Sequence, residues 1–290
     1  MNFLEISNIG AACGKNPYES KDKILLMCLC KKYNSIYMNI FYNEGIICNK
    51  DKTTKTYDVE LKKIYDLHKK EVLEPQNIPD IKETVIKKLK IENTKMTDKD
   101  LSHVTSFLNN SLKKDCGINN EKKVIETKKY KFGNNDIYTY TENNWQIRGL
   151  HDATDNDIII EVKTRMSEKN VRKNEYDLYQ LFGYLLAMCK TKGKIVQYYN
   201  NKIFDSDIET ECEYGIIDIT EEKWNNKFKI FMKDLRCFFH DLNKYTTENI
   251  FDVWKVFNKT ELPIAIYDID GIAHNITPKY EKIIKLLIKK

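Results

Sequence analysis

Gly149-Leu-His-Asp-Ala-Thr-Asp-Asn-Asp-Ile-Ile-Ile-Glu-Val-Lys-Thr-Arg165 combines an acid, a turn and a strand signal within one short stretch. The β-branched run Ile158–Ile160 is bounded by Asn and Asp, which predicts a buried strand rather than a helix. Side chains alternate across a strand, so we expect Glu161 and Lys163 on one face. Asp152 precedes the turn, and we expect it on the neighbouring strand of the hairpin, within reach of the same face.

Two carboxylates and an ammonium at the end of a buried strand predict a site for a divalent cation. Buried like charges repel and buried ions lose hydration, so the cluster needs a compensating partner. Oxygen ligands from Asp152, Glu161 and the Val162 carbonyl suit Mg²⁺ or Mn²⁺. Lys163 would then orient an attacking water or stabilise charge on a phosphate. The alternative is a hairpin whose charges face water.

The composition narrows the class of protein. The chain has 290 residues, enough for one large domain or two small ones. Its eight cysteines are scattered without zinc or iron-sulfur spacing, which indicates free thiols in a reducing compartment. We find no secretion signal and no apolar run of membrane-spanning length, so we expect an intracellular protein without a membrane partner. Forty-eight Lys and Arg residues against 43 acids give a net charge of +5, which permits nucleic-acid binding without requiring it.

The spacing between Asp152 and Glu161-Val162-Lys163 resembles the signature of the PD-(D/E)XK nucleases, with His151 where that superfamily often has Pro. An N-terminal stretch, Ile6–Tyr18, resembles the motif of the lambda exonuclease and YqaJ-type viral recombinase family, in which Ser and small residues precede Gly-X-Asn/Ser-Pro-Tyr. An ordinary capped helix followed by a turn is the alternative for this stretch.

Two further fragments follow in the order of that family. Gly117 and Glu121 resemble its Gly-X-X-X-Glu motif, which delivers another carboxylate to the metal site, although a surface position is the usual place for a Glu near a helix start. Gln180 and Tyr184 lie four residues apart on a predicted helix, Glu175–Lys190. They resemble the Gln-X-X-X-Tyr motif of RecB-like and lambda-exonuclease-like nucleases. A hydrogen-bonded core glutamine is the alternative.

The resemblance implies an α/β fold with a restriction-endonuclease-like core, in which a mixed central sheet is flanked by helices and carries a helical insertion. It implies a single nuclease domain over residues 1–290 that hydrolyses double-stranded DNA with Mg²⁺ or Mn²⁺, as a 5′-3′ exonuclease of recombination, repair or viral DNA processing. A structure-specific endonuclease is an alternative, because no Arg precedes Ser7 to serve a 5′ phosphate. A DNA-binding module without catalysis is another. The family also allows an oligomer, a single-strand annealing protein as partner and, for a viral protein, the host cytoplasm or nucleus.

The resemblance assigns a role to each candidate residue. The implied catalytic residues are Glu121, Asp152, Glu161, Lys163, Gln180 and Tyr184. The implied ligands of one or two metal ions are Glu121, Asp152, Glu161 and the carbonyl of Val162. The expected DNA contacts are Ser7, as a helix N-cap, Asn8, Arg148, Arg165 in a flexible basic loop at 164–173, and Gln180.

Hydrophobic periodicity predicts the remaining elements. Helices are expected over most of residues 22–112, and a new helix is expected to begin near Gly117. Strands are expected at Tyr130–Phe132, Ile137–Thr141 and Trp145–Gly149, as a meander leading to the Asp152 hairpin, and then at Lys194–Tyr199 and Tyr214–Ile219. A helical tail is expected from residue 221 to 257, followed by an edge strand at 263–268 and a last helix.

Overall fold

The computed structural model describes residues 2–32, 56–69, 75–92, 96–133, 137–142 and 144–245, together with two strands at 264–267 and 273–276. These residues form a mixed α/β architecture of mixed sheets flanked by helices, as the sequence predicted. Within these ranges, no helix has the length and apolar character needed to cross a bilayer.

The strands and helices are numbered in chain order. The strands are β1 (Asn2–Glu5), β2 (Lys131–Phe132), β3 (Tyr138–Glu142), β4 (Trp145–Gly149), β5 (Ala153–Asp155), β6 (Ile158–Thr164), β7 (Lys192–Tyr199), β8 (Lys202–Phe204), β9 (Ile217–Asp218), β10 (Ile264–Tyr267) and β11 (Ala273–Ile276). The helices are α1 (Ile9–Ala12), α2 (Lys21–Lys32), α3 (Thr56–His68), α4 (Ile78–Glu92), α5 (Asp98–Lys128), α6 (Glu175–Ala187) and α7 (Glu222–Asn243). Short 3-10 turns lie at Ile6–Asn8, Pro75–Asn77 and Glu168–Asn170.

The strands form two larger sheets and a hairpin. The larger sheet has the order β2-β5-β6-β7-β8, with β9 also paired to β7, and its central pair β6 and β7 is parallel. The smaller sheet has the order β1-β4-β3, and β1 is parallel to β4. β10 and β11 pair with each other. The predicted meander is therefore wrong in one respect. β3 and β4 pair with each other in a separate sheet, where β4 also pairs with β1, a strand that the sequence did not predict.

Both faces of β6 are covered by helices. Ile160 and Val162 belong to an apolar cluster with Val124 and Ile125 of α5, whereas Ile159 belongs to the large cluster that includes α6. The alternation predicted from the sequence is confirmed, since the odd-numbered side chains of β6 share the α6 side. This alternation directs Glu161 and Lys163 toward α6.

Helix α5 is longer than predicted. It begins at a capping box in which Thr97 and Asp100 exchange hydrogen bonds, and it runs without a break to Lys128. Gly117 therefore lies inside the helix and does not begin one. The reason is visible in the buried stripe, because Leu112 and Cys116 continue the apolar face that packs on α3 and α4. That stripe stabilises the helix more than a single glycine weakens it.

The N-terminal segment packs closely on α6. A Cβ added to Gly183 would lie 2.6 Å from Cδ1 of Ile9, so the close backbone packing predicted for this glycine is confirmed. The predicted cap is wrong: Ser7 lies within a 3-10 turn, and Asn8, at the N-cap position of α1, makes no side-chain capping hydrogen bond.

Farther along the chain, the helix beginning at Glu175 and the strand over Lys194–Tyr199 are confirmed, while the strand predicted at Tyr214–Ile219 shrinks to β9. The tail helix ends at Asn243, and the predicted edge strand contains β10. The last helix and the end of the predicted tail helix lie outside the described residues.

Candidate active site

Asp152 lies immediately before β5 and is fixed there by backbone contacts. Its Oδ2 atom accepts a hydrogen bond from the backbone N–H of Val162 at 2.7 Å. The N–H of Gly133 donates to the Asp152 carbonyl at 2.9 Å. A Cβ on residue 133 would lie 2.1 Å from the carbonyl oxygen of His151, so no residue larger than glycine fits there. These contacts hold the Asp152 carboxylate beside the middle of β6.

Glu161, Lys163 and Gln180 form a closed triangle of polar contacts. The Lys163 ammonium lies 2.6 Å from Oε1 of Glu161 and donates to Oε1 of Gln180 at 2.8 Å. The Gln180 amide donates back to Oε1 of Glu161 at 2.7 Å. Glu161 is 2% exposed, and its second oxygen, Oε2, is buried with no hydrogen-bond partner among the described residues. The triangle leaves one carboxylate oxygen without compensation.

Tyr184 lies beside this triangle, one turn of α6 after Gln180. Its hydroxyl is 3.5 Å from the Gln180 amide nitrogen, and its ring is buried. Burial and then the Glu161 carboxylate hold the pKa of Tyr184 well above its usual range. The phenol therefore stays protonated and remains a hydrogen-bond donor at neutral pH.

Glu121 brings a third carboxylate to this cluster from α5. Burial and the charge of Glu161 raise the pKa of Glu121 to about 7. Burial and the charge of Glu121 raise the pKa of Asp152 to about 7, and burial and the charge of Asp152 raise the pKa of Glu161 to about 8. Burial opposes the charge of Lys163, but the surrounding carboxylates, Glu161 foremost, outweigh burial and raise its pKa. One ammonium thus faces three carboxyl groups that repel one another.

This repulsion predicts a fold that becomes less stable as the pH rises. The ordinary pKa values are 3.8 for Asp152 and 4.5 for Glu161, against about 7 and about 8 in the folded chain. Between about pH 4 and about pH 8 the folded state therefore keeps protons that the unfolded state has lost, so the free energy of unfolding falls across this window. Above about pH 8 this contribution becomes constant.

The Asp152→Asn variant should remove much of that pH dependence, because it deletes one of the repelling charges. We expect it to melt about 2–4 °C above the wild type at pH 8.5 in EDTA, a shift that corresponds to about 1 kcal/mol, and to match the wild type near pH 4.5. Calorimetry over this pH range checks the expectation, with Asp155→Asn on the exposed part of the same hairpin as the control. A difference from the wild type that does not change with pH would contradict it.

The described residues contain no group of three or more His, Cys, Asp or Glu side chains already arranged to hold a metal ion. In the structure, Oε1 of Glu161 is bound to Lys163 and Gln180, and Oδ2 of Asp152 is bound to the backbone. The chemistry of the donors nevertheless fits a hard divalent cation. Carboxylate oxygens are its preferred ligands, and the buried Oε2 of Glu161 lacks a partner.

The sequence predicted Arg165 in a flexible loop that faces solvent, and this prediction is wrong. The residue is 6% exposed, and its guanidinium donates to Oδ2 of Asp177 at 2.6 Å and through Nε to Gln197 at 2.7 Å. The buried carboxylate of Asp177, in the first turn of α6, draws this arginine inward. A phosphate contact by Arg165 would have to be made from this buried position.

A cavity of about 160 Å³ lies at the carboxyl end of β6. Its lining includes the Arg165 side chain and the exposed Arg172, whose Nε lies 3.3 Å from the side-chain oxygen of Asn174. The remaining lining residues are Tyr18, Thr164, Met166, Asn170 and Tyr176. The cavity just beyond Lys163 is therefore lined by two arginines and several neutral residues.

Among the other expected DNA contacts, Gln180 belongs to the triangle, whereas Arg148 lies on β4 and Ser7 lies in the turn after β1. The Arg148 guanidinium stacks on the Phe3 ring, with its central carbon 3.2 Å from the ring centroid. A Cβ on Gly149 would lie 3.1 Å from the Tyr184 ring and 3.0 Å from Cβ of Ile6, so the chain beside Arg148 passes close to Tyr184. Ser7 is exposed in the turn that follows Ile6.

The structure thus brings together all six residues for which the resemblance implied catalytic roles, and it adds Asp177, Gln197 and Gly133. Asp177 carried a usable signal, since it is an acid next to the apolar run of α6. Gln197 and Gly133 carried none, because their contacts depend on pairing between distant segments.

No protein-family model matches the chain, and no curated protein matches it. Among solved structures, the crystal structure of SSO0001 is similar to it, with 13% sequence identity over 82% of this chain and 77% of that chain. The TM-score of that comparison is 0.35, which is too low to assign a shared fold family. The side chains described above are therefore the basis for a functional assignment.

Proposed function

We propose that this protein is a metal-dependent DNA nuclease with a restriction-endonuclease-like core of the PD-(D/E)XK type, similar to the lambda exonuclease and YqaJ-type family. The observation that carries the proposal is the meeting of Glu121, Asp152 and Glu161 around Lys163 and Gln180. These side chains come from α5, the β5–β6 hairpin and α6, so their convergence is a property of the tertiary structure.

The architecture around the cluster supports the same proposal. The strand β6 lies in the middle of a mixed sheet, beside the parallel strand β7, and helices α5 and α6 contribute apolar side chains to the clusters on its two faces. A strand covered on both faces is a rigid support for charged groups at its end. A solvated hairpin, the alternative interpretation of the motif, would not bury Glu161.

Glu121, Asp152 and Glu161, with the Val162 carbonyl, are the groups that would hold Mg²⁺ or Mn²⁺. Such an ion would act as a Lewis acid toward the scissile phosphate. Binding would also relieve the repulsion among the three carboxylates, because a divalent charge offsets two of them.

The remaining side chains of the site act directly on the substrate or hold its catalytic groups. The Lys163 side chain is 20% exposed, and its ammonium can donate to a phosphate oxygen or to the attacking water, where its positive charge would stabilise the transition state. Gln180 bonds both Glu161 and Lys163 and so fixes their separation. The Gln180 amide also donates to the Tyr184 hydroxyl at 3.5 Å, which helps to orient the amide.

We expect Arg172 to contact the DNA backbone, since it is exposed and lines the cavity beyond Lys163. Replacing Arg172 with alanine should weaken DNA binding and reduce the slope of log K against log salt by about 1, while kcat stays unchanged. Fluorescence anisotropy at several salt concentrations measures both quantities. Arg236→Ala is the matched control, because Arg236 is an exposed arginine ion-paired with Glu142. An unchanged slope for the Arg172 variant would remove this residue from the DNA path.

Digestion of defined substrates tests the proposal and its alternatives together. Linear duplexes with 5′-phosphate, 5′-hydroxyl or blocked ends are incubated beside a closed circle, with Mg²⁺, Mn²⁺ or EDTA, and with Glu161→Ala as the inactive control. Metal-dependent loss of linear DNA alone, strongest for 5′-phosphate ends, establishes the exonuclease. Cutting of the circle establishes an endonuclease. DNA binding without cleavage under any metal would establish a binding module instead.

A further inference from the structure

Asp177 is a buried carboxylate close to the proposed catalytic lysine, and none of the motifs contains it. Asp177 is 0% exposed, and its Oδ1 atom lies 3.9 Å from the Lys163 ammonium. Among the described residues, Oδ1 has no hydrogen-bond partner. A carboxylate oxygen without a partner in a buried position is costly, so its placement beside an ammonium calls for a role.

The other half of the Asp177 side chain is fixed. Its Oδ2 atom accepts a charge-assisted hydrogen bond from Arg165 at 2.6 Å. Arg165 is in turn held through Nε by Gln197, whose amide nitrogen donates to the carbonyl of Cys212 at 2.9 Å. Because this chain of contacts ends on the backbone, Asp177 cannot readily move toward Lys163. Any shortening of the 3.9 Å gap must come from the long lysine side chain.

The Lys163 ammonium has a third N–H group that can donate to Asp177. An ammonium carries three N–H donors, and the described contacts use two of them, for Glu161 and for Gln180. The two carboxylates flank the ammonium at unequal distances, 2.6 Å to Glu161 and 3.9 Å to Asp177. Lys163 therefore lies closer to Glu161 than to Asp177. Glu161 is also the carboxylate that the proposed function assigns to the cation.

We propose that Asp177 is a positioning residue that receives the Lys163 ammonium when Glu161 binds the cation. This inference rests on the proposed function, because it assigns Glu161 to the cation. A divalent ion on Glu161 would repel Lys163, and a buried ammonium without an anion would be strongly destabilised. The fixed Oδ1 of Asp177 would hold the Lys163 ammonium in the site. The lysine could then move away from Glu161 and still contact the substrate.

The Glu161→Gln variant tests the inference without a metal and without any activity. The amide keeps the shape of Glu161 and removes its charge, so in a metal-free crystal structure the Lys163–Asp177 distance should shorten from 3.9 Å to about 2.8 Å. A lysine that keeps the original distance, or turns to solvent, overturns the inference. Cleavage that persists in Glu161→Gln would refute the proposed function instead, and the distance would still decide on Asp177.

A kinetic comparison separates positioning from simple neutralisation of Arg165. Asp177→Asn is expected to lower kcat about 10- to 100-fold with an unchanged KM for DNA, the loss typical of a misplaced catalytic group. The double variant Asp177→Asn with Arg165→Gln removes both buried charges together, so no buried guanidinium is left without a counter-ion. We expect the double variant to keep the low kcat. Recovery of the wild-type kcat would mean that Asp177 serves only as the counter-ion of Arg165, which overturns the inference.

Discussion

Replacing Lys163 with alanine should reduce DNA cleavage by about 10³-fold and leave DNA affinity nearly unchanged. The Lys163 ammonium lies 2.6 Å from Oε1 of Glu161, one of the groups proposed to hold the cation. Its loss removes the charge that stabilises the transition state, whereas the DNA backbone retains its contacts with other basic side chains. The effect should therefore appear in kcat and not in KM.

Single-turnover cleavage of a labelled duplex, with anisotropy for DNA binding, measures both quantities for Lys163→Ala. Lys190→Ala provides a control, because Lys190 makes an exposed ion pair with Asp157 at the other end of the β6 hairpin. A melting curve verifies that the variant is folded, since Glu161 and Asp177 lose their shared ammonium. Wild-type cleavage by a folded Lys163→Ala protein would exclude this lysine from catalysis.

The second large effect is expected for Glu161→Gln, which should lose cleavage by about 10³-fold together with its response to divalent ions. Mg²⁺ or Mn²⁺ should raise the melting temperature of the wild type, because a ligand that binds only the folded state stabilises it. Glu161→Gln should melt at the same temperature with and without the ion, since it lacks the buried carboxylate whose Oε2 has no partner.

Thermal shifts over a series of Mn²⁺ concentrations measure this response. Glu126→Gln is the matched control, because Glu126 is an exposed carboxylate on α5, close in sequence to Glu121. A Glu161→Gln protein that is stabilised by Mn²⁺ as strongly as the wild type would place the ion elsewhere in the chain.

Local patterns were sufficient to predict the part of the site that lies within single elements. The alternation of a strand fixed the common side of Glu161 and Lys163, and helical spacing placed Gln180 and Tyr184 on one face of α6. These relations depend only on backbone geometry, so the sequence contains them directly. The two elements contact each other through Gln180, whose side chain lies 2.7 Å from Glu161 and 2.8 Å from Lys163.

Relations between distant segments could not be predicted in the same way. β1 pairs with β4 across more than a hundred residues, and Arg165 is buried because Asp177 and Gln197 come from two other elements. The local sequence predicts a helix start at Gly117, yet the apolar stripe that packs on α3 and α4 extends α5 through this residue. In each case tertiary packing overrode a local signal, and one sequence does not record that packing.

The most direct test of the account is single-turnover cleavage of a linear duplex by the wild type in Mg²⁺, in Mn²⁺ and in EDTA, with Asp152→Asn measured in parallel. We predict cleavage by the wild type with either ion, none in EDTA, recovery when excess Mg²⁺ is restored, and a loss of about 10³-fold in Asp152→Asn. Cleavage that continues in EDTA, or an Asp152→Asn protein as active as the wild type, would contradict a metal-dependent nuclease site at these carboxylates.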